Sequence, residues 1–203
     1  DDVFLSDNCT VDFRAGHSYY WNDKGEKVFF DASDGWEVTA QTRQAKEFLD
    51  GCDHDQPFAL FVSWHPPHNQ MPPLDYETLP RFMDQYDPAR IQPRPNCPPS
   101  EFPRDWQHGY MAMCTGLDEA FGELLDKLRE KGLDQDTLVV YTSDHGDLLR
   151  SHGCPEHKAM PYEESIRVPL LMRHPGELPR DSESSLLVGA LDLMPTLLGL
   201  LGL

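Results

Sequence analysis

Long apolar runs are missing from this chain: no stretch of about 18 apolar residues, the length that spans a bilayer, occurs in its 203 positions. No transmembrane helix is therefore expected. Positive charge is scarce as well, with 17 Lys and Arg against 35 Asp and Glu and a formal net charge of -18. A nucleic-acid binder needs the opposite balance, because its affinity comes largely from cations that neutralise phosphates. An anionic ligand must be drawn in by local positive charge. The five cysteines (Cys9, Cys52, Cys97, Cys114, Cys154) are scattered and lack C-x-x-C spacing, which suggests neither a zinc ribbon nor a disulfide framework. The first residues, Asp1-Asp2-Val3-Phe4, have neither the basic start nor the apolar core of a signal peptide. Asn8-Cys9-Thr10 matches a glycosylation sequon in form, which matters only in a secreted eukaryotic protein.

What is present suits one core, since 39% of residues are hydrophobic. The segment to about residue 36 is polar and aromatic, with His17, Tyr19, Tyr20 and Trp21, and reads as loops or a short hairpin around Asn22-Asp23-Lys24-Gly25. From Thr39, a plausible N-cap, Gln41, Ala45, Phe48 and Leu49 recur at helical spacing until Gly51. Residues 58–64 form an almost continuous apolar run, the pattern of a strand covered on both faces. Residues 66–103 hold most of the 18 prolines, so an extended excursion with one short helix near 76–86 is expected. A long helix is predicted over 106–131, with Leu117, Phe121, Leu124, Leu125 and Leu128 on one face and Gly132 as its stop. A strand over 137–142, apolar runs near 168–172 and 186–188, and a helix from about 193 complete the pattern. Strands alternating with helices, joined by connections too long for hairpins, predict an α/β fold with a largely parallel sheet flanked by helices.

Chemistry concentrates where apolar runs stop. The run 138–142 ends at Asp144-His145-Gly146, and 58–64 ends at His65-Pro66-Pro67-His68. Open α/β sheets hold their ligand crevices at the carboxyl ends of strands, so parallel pairing would bring His68 and Asp144 to one edge. A carboxylate favours calcium or magnesium, and an imidazole widens the choice to manganese or zinc. On residues alone, Asp-His-Gly is also ordinary turn composition, Lys158 fits a surface lysine, and His65 and His68 fit an exposed rigid turn.

Read together, Ser63-Trp64-His65-Pro66-Pro67-His68-Asn69, Tyr86-Asp87-Pro88, Arg94-Pro95-Asn96, the helical stretch 110–128 with Asp118, Thr142-Ser143-Asp144-His145-Gly146-Asp147, Ser151-His152-Gly153 and Ala190-Leu191-Asp192-Leu193-Met194-Pro195-Thr196 resemble the sulfatases, a family of the alkaline-phosphatase-like superfamily. The most specific match is Lys158 with Tyr162-Glu163-Glu164-Ser165-Ile166-Arg167-Val168-Pro169-Leu170. The resemblance implies an alkaline-phosphatase-like core and metal-dependent hydrolysis of a sulfuric ester. Asp144 and His145 would ligate a divalent metal, calcium first, with manganese or magnesium as alternatives because members often carry Asn at the second position. His68 and Lys158 would be catalytic, contacting sulfate and the leaving oxygen, and His65 and His152 would touch substrate. The substrate would be a sulfated small molecule or glycan, with no nucleic acid or membrane partner, in a family often exported, periplasmic or lysosomal.

One departure is an absence. The family makes its formylglycine nucleophile from a C/S-x-P/A-x-R motif, and no cysteine here satisfies it; Cys97-Pro98-Pro99-Ser100 is followed by Glu101, and it lies after the Pro-His element. Residues 1–203 are therefore expected to be a partial catalytic domain, incomplete at the nucleophile segment and the C-terminal subdomain, and inactive alone. The rival readings are a phosphonate or phosphodiester hydrolase of the same superfamily and a non-catalytic binder of sulfated glycans or protein.

Overall fold

A computed structural model describes residues 5–6, 12–14, 17–71, 75–155 and 157–203. The sequon at 8–10 lies outside them. Strands β1 (Leu5–Ser6), β2 (Tyr19–Asn22) and β3 (Lys27–Phe29) pair antiparallel in that order. The turn works because Asn22 Oδ1 accepts the backbone N–H groups of Lys24 and Glu26 at 3.0 and 2.8 Å, while Gly25 takes φ +71°. That backbone region suits glycine, which lacks the clashing Cβ. The expected hairpin is present.

Helix α1 spans Glu37–Asp50 and so begins two residues before Thr39. Trp36 is its N-cap, with no side-chain cap bond. Tertiary contacts replace the local cap: Glu37 N donates to Phe13 O at 3.0 Å, and Trp36 is only 3% exposed. Helix α2 (Pro80–Met83) is the short helix of the proline-rich excursion. Helix α3 (Arg104–Glu130) stops at Gly132, where Leu133 N closes back on Leu128 O at 2.9 Å. α1 packs along α3. Ala45, Leu49, Leu124, Leu128 and Leu133 form one core between them, and Phe13, Trp36, Phe82, Met113, Leu117 and Leu149 are among the buried residues of another. Each such large side chain contributes roughly 1.5–3 kcal/mol on burial.

Strand β4 (Val139–Thr142) pairs antiparallel with β5 (Leu170–Arg173). The ladders among the described residues are thus antiparallel. The reason is the 143–169 connection, which returns through loops and the four-residue α4 (Glu163–Ile166) instead of crossing the sheet on a packed helix. Residues 58–64 are not a covered strand. They make no ladder among the described residues; Phe58, Val62 and Trp64 lean on the α1–α3 core while Phe61 is 92% exposed. Residues 186–188 also form no strand and stand exposed, as do Leu191 and Met194 on α5 (Ala190–Leu200). Among the described residues, no helix is long and apolar enough to cross a membrane.

Candidate active site

The loop after β4 approaches α4 so closely that only glycine fits at 146: a Cβ there would lie 2.0 Å from Glu164 O. Gly146 N donates to Ser165 O at 2.8 Å, and Ser165 Oγ donates to Lys158 O at 2.8 Å. This fastens the Asp-His-Gly corner and the Lys158 loop to one short helix. Glycine at 146 is therefore a packing requirement.

Three predicted residues meet. Lys158 Nζ lies 3.0 Å from His68 Nε2 and 2.9 Å from His145 Nε2, and the two rings stand edge-on at 6.1 Å between centroids. Both imidazoles donate from Nδ1 to a backbone carbonyl, His68 to Asn69 O and His145 to Gly146 O, each at 2.8 Å. Their Nε2 lone pairs consequently converge on the lysine ammonium. Burial pushes the His68 pKa below the ordinary imidazole value, and the positive charge of Lys158 adds to that push. Neutral His68 is thus the resting form.

Asp144 is adjacent but differently placed. Its side chain is 85% exposed, Oδ1 caps His145 N at 2.9 Å, and Oδ2 lies 3.6 Å from His145 Nε2. His65 turns elsewhere: its Nδ1 donates to Glu37 at 2.6 Å, and its ring stacks on Phe13. His152 stacks on Tyr162 at 3.9 Å and lies 3.0 Å from Asn96 Nδ2 and 3.5 Å from Glu164. Among the described residues, neither histidine contacts the Lys158 group. Sequence reading missed the support beneath it, where Tyr76 donates to Asp147 at 2.5 Å and its hydroxyl lies 2.9 Å from His157 Nδ1. Asp147 and His157 flank the corner and Lys158, so their proximity was legible; Tyr76, 71 residues earlier, left no local signal.

A cation cradled by two histidines at the loop edge of an α/β chain defines a centre suited to anionic groups. The chain belongs to the Sulfatase family, whose model matches residues 5–203. It is 34% identical over 194 residues to an endo-4-O-sulfatase of Bacteroides thetaiotaomicron, covering 91% of this chain and 37% of that protein. An ulvan-active sulfatase of Formosa agariphila is 32% identical over 98% of this chain and 38% of its own length. A solved Bacteroides thetaiotaomicron structure, from a core genetic locus for metabolism of multiple glycosaminoglycans, superposes with TM-score 0.81 at 30% identity, over 91% of this chain and 38% of that one. The chain spans well under half the length of these relatives. The fold is accordingly that of the alkaline-phosphatase-like sulfatases, represented here by helices and short strand pairs.

Family membership suggests a divalent metal. Among the described residues no three His, Cys, Asp or Glu side chains group to hold one. The exposed Asp144 carboxylate is open to a hard cation, which takes six or so ligands, whereas His145 has Nδ1 on Gly146 O and Nε2 facing Lys158.

Proposed function

We propose that the full-length protein carrying this chain hydrolyses a sulfate monoester, giving an alcohol and sulfate. The observation that carries this reading is the Lys158 ammonium gathered by His68 and His145. An ester sulfate presents anionic oxygens and, as it is cleaved, builds negative charge on the leaving oxygen; Lys158 places a cation where that charge develops. His68, neutral and held by Asn69, orients the ammonium, and the proton for the departing alkoxide comes from the Lys158–His68 pair. His65 and His152 are the outer substrate contacts in this reading, with 27% and 34% of their side chains accessible. Asp144, with His145 once its Nε2 is released from Lys158, would hold the divalent ion, calcium first and manganese or magnesium as alternatives, and the ion would supply positive charge against the transferring group. The formylglycine nucleophile would come from a C/S-x-P/A-x-R segment outside residues 1–203. The relatives' names, endo-4-O-sulfatase and ulvan-active sulfatase, favour a sulfated glycan as substrate.

The test is sulfate release by the full-length protein from sulfated oligosaccharides and p-nitrophenyl sulfate, beside p-nitrophenyl phosphate, with and without EDTA. Sulfate release that EDTA abolishes and added calcium restores is expected. Faster turnover of the phosphate ester, or no sulfate release from any of them, would overturn the proposal.

A further inference from the structure

The β2–β3 ribbon carries a feature that the Lys158 site does not use. Cross-strand pairing sets Tyr19 opposite Phe29 and Trp21 opposite Lys27, so these four side chains share one face, while Tyr20 and Val28 take the other. Tyr20 points inward, packing with Phe30 and Ala40. A ribbon with one covered face normally turns polar residues outward. Here the outward face holds three aromatics joined through Tyr19, Tyr19–Trp21 at 5.8 Å and Tyr19–Phe29 at 5.5 Å between centroids, and Phe29 is 58% exposed.

Lys27 lies over this cluster, its Nζ 3.9 Å from the Tyr19 centroid and 5.3 Å from that of Trp21. It makes no ion pair with a carboxylate among the described residues, although acidic residues outnumber basic ones two to one in the chain. Its charge is held by ring faces, which attract a cation without cancelling it. An aromatic face stacks against the C–H side of a sugar ring, and an uncancelled ammonium beside it meets a sulfate or carboxylate on that ring. The inner face ties the ribbon to the site: Tyr20 donates to Glu37 at 2.9 Å, and Glu37 accepts from His65, which opens the turn carrying His68.

We propose that Tyr19, Trp21, Phe29 and Lys27 form a binding platform for an anionic sugar ring of a sulfated glycan, apart from the Lys158 group. This deepens the sulfatase reading and rests on it for the identity of the ligand. The face is offered to carbohydrate and not to protein because its one charge complements a polyanion.

The full-length protein is titrated calorimetrically with size-defined sulfated tetrasaccharides from chondroitin 4-sulfate, heparin and carrageenan, and with their desulfated forms. At least one sulfated form is expected to bind more tightly than its desulfated form, with Trp21→Ala and Lys27→Gln each weakening it about tenfold. Hydrolysis of p-nitrophenyl sulfate, which has no sugar ring, stays within about twofold of wild type in both variants. Lys27 is exposed, so Lys27→Gln decides the matter should Trp21→Ala fold poorly. The proposal is overturned when no sulfated tetrasaccharide binds, when both variants bind as wild type does, or when the wild type self-associates through this face and Trp21→Ala abolishes it. Absence of any sulfate-ester hydrolysis by the wild type would instead strike the Lys158 reading, and the titration would still decide the platform.

Discussion

Lys158 Nζ stands 2.9 Å from His145 Nε2, and the same ammonium reaches His68, 90 residues earlier in the chain. An ammonium can donate to both rings only because each imidazole spends its Nδ1 proton on a neighbouring carbonyl. Tautomer, orientation and charge of the site are thus set by two backbone oxygens, Asn69 O and Gly146 O.

Lys158→Ala in the full-length protein is expected to lower kcat for sulfate-ester hydrolysis by about 10²- to 10³-fold, as loss of a preorganised charge at a transition state does. Steady-state kinetics with p-nitrophenyl sulfate measures it. A change within about threefold would remove Lys158 from the site.

His68 titrates below the ordinary imidazole value of 6.5, because burial first, and the charge of Lys158 after it, oppose a second proton. The sign follows: the unfolded chain takes up protons before the folded one does, so this contribution to stability is present above pH 6.5 and is lost as pH falls from there through the folded-state pKa. NMR titration of the His68 ring in the metal-free protein should give a midpoint under 6.5. A midpoint at or above that value contradicts the burial argument.

Gly146→Ala should cost about 1–3 kcal/mol, since the new methyl would press on Glu164 O and force the loop away from α4. A lowered urea midpoint together with lost sulfate-ester turnover is expected. An alanine variant as stable and active as wild type would show that the contact is dispensable.

Glu37 is 1% exposed and accepts from Tyr20, Gln41 and His65. Glu37→Ala removes the buried carboxylate that gathers these groups and should destabilise by about 3 kcal/mol, the range for breaking a buried charged network. Chemical denaturation reads the loss, and a shift under about 0.5 kcal/mol would mean water replaces the carboxylate without penalty.

The exposed apolar side chains Phe61, Leu186, Leu187, Leu191 and Met194 should make a polypeptide of these 203 residues alone bind a hydrophobic dye such as ANS and self-associate. Light scattering and dye fluorescence test this. A monodisperse, dye-silent sample would show that this surface is covered within the chain.

Local pattern made the long helix legible, because Leu117, Leu124 and Leu128 recur at helical spacing and Gly132 offers the left-handed backbone that ends it. It also marked His68, Asp144, His145 and Lys158, whose flanking turns and apolar runs are readable over a few residues. Where locality failed, distant contacts had taken over. Thr39 is sequence-wise a good cap, yet Phe13 O and the buried Trp36 draw the helix start back to Glu37. Residues 58–64 have strand composition, but a strand exists only against a partner, and none of the described segments pairs with it.

By itself, then, the sequence determined the family and which residue types gather at the candidate site, since glycines, prolines and periodic apolar positions encode backbone demands that are local. Only the tertiary structure decided that His68 and His145 turn their lone pairs on one lysine while His65 serves Glu37 and His152 pairs with Asn96 and Glu164. Hydrogen-bond direction depends on which groups a fold brings within 3 Å, and sequence spacing carries no record of that.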